Sequence, residues 1–123
     1  MITGIFIPAD ITQPCSVIHI KNDSAFLHAS YDLIQCDLIQ IITLPTMINQ
    51  RFRALVIDDC GKLKDGWLFN NRASWLYNLV TQSKDPIAGN ALLFDSDGSD
   101  ILSIFAPDTV VDILNTYGGS YNG

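Results

Sequence analysis

The sequence predicts an α+β fold: a small single domain with a mixed, mainly antiparallel sheet of five to six strands and two to three helices. Short apolar segments bounded by Pro, Gly, Asn and Asp mark strands separated by turns. Other stretches follow a capping residue and carry apolar residues at helical spacing. The two kinds of segment are mixed without strict alternation, which favours α+β over a repeating βα unit. The chain has 123 residues, 48% of them hydrophobic and 16% charged, which suits one modest core and excludes intrinsic disorder.

ITGIFIP is the first strand, ended by Pro8; Ile2, Ile5, Phe6 and Ile7 are nearly continuous, so burial on both faces is expected. Residues 9 to 14 form a turn. CSVIHI is the second strand, with Val17 and His19 on one face and Ile18 and Ile20 on the other. Lys21-Asn22-Asp23 turns the chain, and Asp23 or Ser24 caps a helix through about Gln35. Its expected buried face is Phe26, Leu27, Tyr31 and Ile34. DLIQIITL, residues 37 to 44, is the third strand, and Pro45 begins a connection. RALVIDD, residues 53 to 59, is the fourth, followed by the turn-rich CGKLKDG.

Asn70 or Asn71 caps a second helix through about Gln82, stopped by Lys84-Asp85-Pro86 because the residue before a proline avoids helical geometry. Leu76, Leu79 and Val80 are its expected core stripe, with Ala73 near the edge. IAGNALLFD is the fifth strand, DSDGSD a loop, and ILSIF a returning sixth strand. Pro107 and Asp108 start a last helix, TVVDILNTY, closed by Gly118-Gly119; the tail SYNG is expected to be loose. An exposed apolar face on that helix (Val110, Val111, Ile113, Leu114) would mark a subunit contact.

The net charge is −6, and all thirteen acids are Asp. Duplex nucleic acid is therefore not an expected partner, since binding it requires many Lys and Arg on phosphates. An acidic surface suits solubility or a basic partner. No apolar run approaches the ~20 residues of a membrane helix, and the first residues lack the basic start of a signal peptide, so a cytoplasmic protein off the membrane is expected. Cys15, Cys36 and Cys60 are expected as reduced thiols, with Cys36 a small core residue.

DSDGSD, residues 95 to 100, resembles calcium-binding sequence but places its glycine fourth and has Ala106 at the twelfth position, so it reads as a hairpin loop. His19 and His28 lack the spacing of a zinc site; His19 is expected half-buried on its strand and His28 on a helix surface. A Cys–His nucleophilic pair is left open by spacing, because such partners meet only in the fold. Asp58-Asp59 reads more simply as turn residues than as paired carboxylates. No metal or cofactor is expected.

The stretch from Trp67 to Tyr77 gathers aromatic rings and donors. Arg72 falls in the first helical turn, where the dipole favours a negative charge. One explanation is a ligand site in which Asn70, Asn71 and Arg72 donate to an anion while Trp67, Trp75 or Tyr77 stacks on a base. The other buries both tryptophans in the core and pairs Arg72 with an Asp.

Taken in order, I-P-A-D (7 to 10), V-I-H-I, D-L-I-Q-I-I, L-V-I-D-D with G-K-L-K, N-R-A-S (71 to 74) and D-P-I-A-G-N-A-L-L (85 to 93) resemble a family of uncharacterised proteins of bacteria and their phages, the domain of unknown function numbered three-eight-four-six. The resemblance covers roughly residues 1 to 94 and departs at 44 to 53, where Met47, Asn49 and Gln50 replace a short proline-glycine turn. Residues 95 to 123 read as an added hairpin and helix of the same domain. The resemblance implies a small α+β domain of phage or mobile-element context and supplies no activity. A non-enzymatic accessory protein is expected, sequestering a small anionic or nucleotide-type ligand in host-defence evasion, in an oligomer. The alternative is an acidic inhibitor that occupies a basic site on a host protein.

Overall fold

The computed structural model describes residues 1–23, 25–48 and 51–122; the alternative cap Ser24, the departing residues Asn49 and Gln50, and Gly123 of the tail lie outside the described residues. The elements are β1 (Ile2–Ile7), β2 (Ser16–Ile20), α1 (Ala25–Ile34), β3 (Ile39–Ile48), β4 (Arg51–Asp58), a 3-10 turn (Gly61–Leu63), α2 (Asn71–Thr81), β5 (Ala91–Ser96), β6 (Ile101–Leu102) and α3 (Pro107–Ile113). A single π-type turn, Leu114–Gly118, continues α3. The strands run in the order β2-β1-β5-β4-β3, with β6 on β5, and every pairing between them is antiparallel.

Helices cover both faces of this sheet, so the central strand β5 is buried along its whole length. On one face α1 packs Phe26 and Ile34 against Val56, Leu92 and Phe94. On the other, α2 and α3 close over Ile5, Ile7, Leu55 and Leu93. Burial on both faces explains why β4 and β5 read as continuous apolar runs. Phe94 crosses the sheet above Gly4, where an added Cβ would lie 2.2 Å from its ring, and packs at 5.5 Å from Phe26.

The segment after residue 94 contributes to this core. β5 runs to Ser96, Ile104 and Leu114 are buried, and the β5–β6 hairpin forms as expected. Asp97 caps its turn, accepting from Ser99 N and Asp100 N at 2.9 and 2.7 Å, and those bonds lower its pKa. Val110 and Val111 are half-buried on the molecule's own core, and Ile113 alone of the four expected apolar residues is exposed.

Several expectations are corrected. Pro45 does not end β3: the strand runs through it with a bulge between Leu44 and Met47. This is possible because β3 is an edge strand, where a missing N–H costs no ladder bond. β5 starts at Ala91 rather than Ile87, and β6 stops at Leu102. α1 buries a narrow line of Phe26, Ser30 and Ile34, which packs on β4 and β5 with Ile2 and Ile20 in the same cluster, and leaves Leu27 exposed. His19 is exposed on the outer strand β2, and Cys36 is half-buried after α1. α2 buries its first turn most deeply, with Arg72, Ala73 and Ser74 inside; Leu76 and Val80 of the expected stripe pack half-buried on the core, and Leu79 is out. The anchor is polar, since Ser74 Oγ accepts from Ile87 N at 2.9 Å.

Candidate functional site

The first turn of α2 accounts for the unusual arginine. Asn70 is the cap, and its Oδ1 accepts from Ala73 N at 3.0 Å. Its Nδ2 donates to Ile7 O and Gly89 O, both at 2.9 Å, so this fully buried side chain joins the helix to the ends of β1 and the β5 approach. Asn71 Nδ2 donates to Tyr121 O at 2.6 Å. Arg72 is 3% exposed, and its Nη2 donates to Gln13 O at 2.6 Å, Pro8 O at 2.9 Å and Asp10 O at 3.3 Å. Its Nη1 donates to Asn115 Oδ1 at 3.1 Å, which also accepts from Cys15 N at 2.9 Å.

The guanidinium is thus the post around which the β1–β2 loop winds. Carbonyl oxygens supply the negative partners that a cation at a helix N-terminus lacks. Among the described residues the two ion pairs are Arg53–Asp95 and Lys64–Asp58, and neither uses Arg72. The Asp10 carboxylate is turned to Thr12, whose hydrogen bonds at 2.7 and 2.9 Å lower its pKa; Arg72 contributes least. Gly118 lies flat on the Arg72 stem, where an added Cβ would come within 3.0 Å of Arg72 Cα and Cγ.

The six expected ligand residues are therefore not one open site. Asn70 and Arg72 are buried and bonded to main chain, and Asn71 holds the C-terminal segment. Trp75 is half-buried against the core on the α2 side. Tyr77 and Trp67 each line a depression, but different ones, separated by Asp58 and Gly61.

Those depressions flank a group of exposed apolar residues. After β4, residues 59 to 68 leave the sheet; Asp59 N donates to Leu38 O at 3.0 Å and Leu68 O accepts from Gly89 N at 2.8 Å, and one side chain fastens the middle. Lys64 Nζ donates to Asp58 Oδ2 at 2.6 Å and to Gln35 O at 3.3 Å, while Asp58 Oδ1 accepts from Cys60 N at 3.0 Å. The hydrogen bond to Asp58 raises the Lys64 pKa. The staple leaves Leu63 84%, Leu68 61% and Trp67 39% exposed. A cavity of 230 Å³ opens on one side, with Ile42, Ile57 and Tyr77 beside Asp59 and Asp85. One of 150 Å³ lies under Trp67 and Leu68, and a shallow one of 490 Å³ beyond Lys64 holds His28, Asp32 and Asp37. Exposed Asp32, Asp37, Asp59, Asp65 and Asp85 outnumber the exposed Lys62 and Lys64 that lie among these apolar residues. Sequence reading passed over Leu63 and Leu68; the available signal was three large apolar residues inside a turn-rich segment too short to bury them.

Cys36 and His28 both line the third depression. Burial, then the Asp58 charge, raises the Cys36 pKa and holds the thiol protonated, which works against nucleophilic use. Cys15 is 4% exposed, and burial pushes its pKa up to about 11 from 9.0. A raised folded-state pKa stabilises the fold below the unfolded value, and that contribution is lost as pH rises through 9 towards 11. Stability should therefore decline over that window, and a Cys15→Ser variant should decline less. Chemical denaturation at stepped pH checks this; identical profiles would exclude Cys15 as the cause.

No protein-family model, curated protein or solved structure matches the chain.

Proposed function

We propose that the chain is a non-enzymatic accessory protein of phage or mobile-element type whose 59–68 surface docks onto a basic patch of a host protein. The observation that carries this reading is the exposed Leu63, Trp67 and Leu68 among surface carboxylates, on a protein of net charge −6. Contiguous exposed apolar groups with a polar rim mark interaction surfaces, and tryptophan is prominent among binding hot spots. Carboxylates around such a centre steer a basic partner and reject acidic ones. The phage context rests on the family resemblance alone. Capture of a small anion draws less support, because the guanidinium that would hold it donates to main-chain and Asn115 oxygens inside the molecule.

The test is affinity capture from a bacterial host lysate, followed by titration of the purified partner. Trp67→Ala is expected to weaken binding by about 2 kcal/mol, roughly thirtyfold, and Leu63→Lys to weaken it further. Added salt should slow association. A partner bound equally by wild type and both variants would overturn the assignment. A thermal shift with nucleotides but no protein partner would restore ligand capture.

A further inference from the structure

The two edges of the sheet are built differently. β2 closes one edge with five residues, after Pro14 and before Lys21, and its exposed His19 is bonded to Thr3 Oγ1 at 3.1 Å. Shortness, proline and charge are the usual means of protecting an edge. β3 closes the other with ten residues; its proline and bulge lie after Leu44, which leaves the six residues from Ile39 to Leu44 regular and without a charge of their own. From Ile39 to Leu44 it pairs with β4 residue by residue, and the bulge begins only after Leu44. No charged residue occurs between Leu38 and Gln50, in a chain that carries twenty. α1 covers β5 and β4, which leaves Ile41 45% exposed on that face.

We propose that β3 pairs antiparallel with β3 of a second copy across a two-fold axis near Ile41, joining two six-stranded sheets. An antiparallel edge is self-complementary under a two-fold, so one strand serves both sides of the contact. Charge selects this occupant over others. Two chains of net charge −6 repel one another, and β3 offers an uncharged strip through which they can approach. A basic partner would find no carboxylate on it. Ile41 and Thr43 share the face of Val56 and Ala54, by register with β4. Pairing would bring the two copies of Ile41 together and cover them. This inference is independent of the 59–68 surface, and each can fail alone.

Light scattering on the purified chain over a concentration series should give twice the 13.6 kDa chain mass. Ile41→Lys and Thr43→Lys should each return the monomer mass, raising the dimer dissociation constant at least a hundredfold, with circular dichroism unchanged. Tyr117→Lys, at an exposed residue of the π-type turn, should leave the dimer intact. Amides of residues 39 to 44 should exchange more slowly in wild type than in either β3 variant. If Ile41→Lys fails to fold, Thr43→Lys still decides, because its side chain is already exposed. A monomer at every concentration, or a dimer that survives Thr43→Lys in a folded protein, would overturn the proposal.

Discussion

Arg72→Ala should remove about 3–5 kcal/mol of stability, because each buried acceptor left without a partner costs about 1–3 kcal/mol. Truncation strands the three carbonyls of Pro8, Asp10 and Gln13 that the guanidinium bonds, and removes one donor from Asn115 Oδ1. It also deletes the stem on which Gly118 packs, so the β1–β2 loop and the end of α3 loosen together. Arg72→Lys keeps the charge but cannot reach four oxygens with a planar fork, and is expected to lose about half as much. Urea denaturation measures both; hydrogen exchange should show early opening at residues 8 to 15. A loss below about 1 kcal/mol for Arg72→Ala, within the range of an ordinary exposed site, would mean the interior bonds contribute little. The anion explanation for Arg72 would then regain its place.

Asp95→Ala should be comparably damaging. Asp95 is 1% exposed, and its Oδ1 accepts from Arg53 Nη1 at 2.8 Å while its Oδ2 accepts from Phe105 N at 3.0 Å. The pair lies between adjacent strands, at the Arg53–Asp95 register position of β4 and β5. Removing the carboxylate leaves a buried guanidinium without compensation, which costs about 3–5 kcal/mol. Replacing both partners, as Arg53→Met with Asp95→Leu, removes the stranded charge and should recover most of that loss. Recovery stays incomplete by about 1–2 kcal/mol, because Phe105 N–H keeps no acceptor. A double-mutant cycle reads the coupling directly. Additive single losses would show that the two charges do not stabilise each other.

The elements readable in the chain were those set by residues a few positions apart. Pro8 after β1, Asn70 as a cap and the Asp97 turn involve bonds spanning two or three residues, so short sequence windows contain their causes. The α+β class followed from the same local signals. The sides of α1 and α2 were readable only in part, because each helix buries what its own neighbours cover: Phe26 and Ile34 are inside while Leu27 is not, and Leu76 and Val80 pack on the core while Leu79 does not. Passage of β3 through Pro45 was hidden, since a proline is tolerated only where the strand proves to be an edge.

The candidate site divides along the same line. By itself the sequence determined that residues 60 to 66 are turn-rich, that the charge is acidic, and that Arg72 stands in a first helical turn without a local partner. Tertiary structure alone decided where the donors of Arg72 point, because their acceptors lie some 60 residues earlier and 43 residues later in the chain. It also decided that Leu63, Trp67 and Leu68 stay outside. Lys64 fastens their segment to Asp58 and Gln35, and main-chain bonds of Asp59 and Leu68 hold its ends, ties that fix the turn without drawing its apolar neighbours into the core.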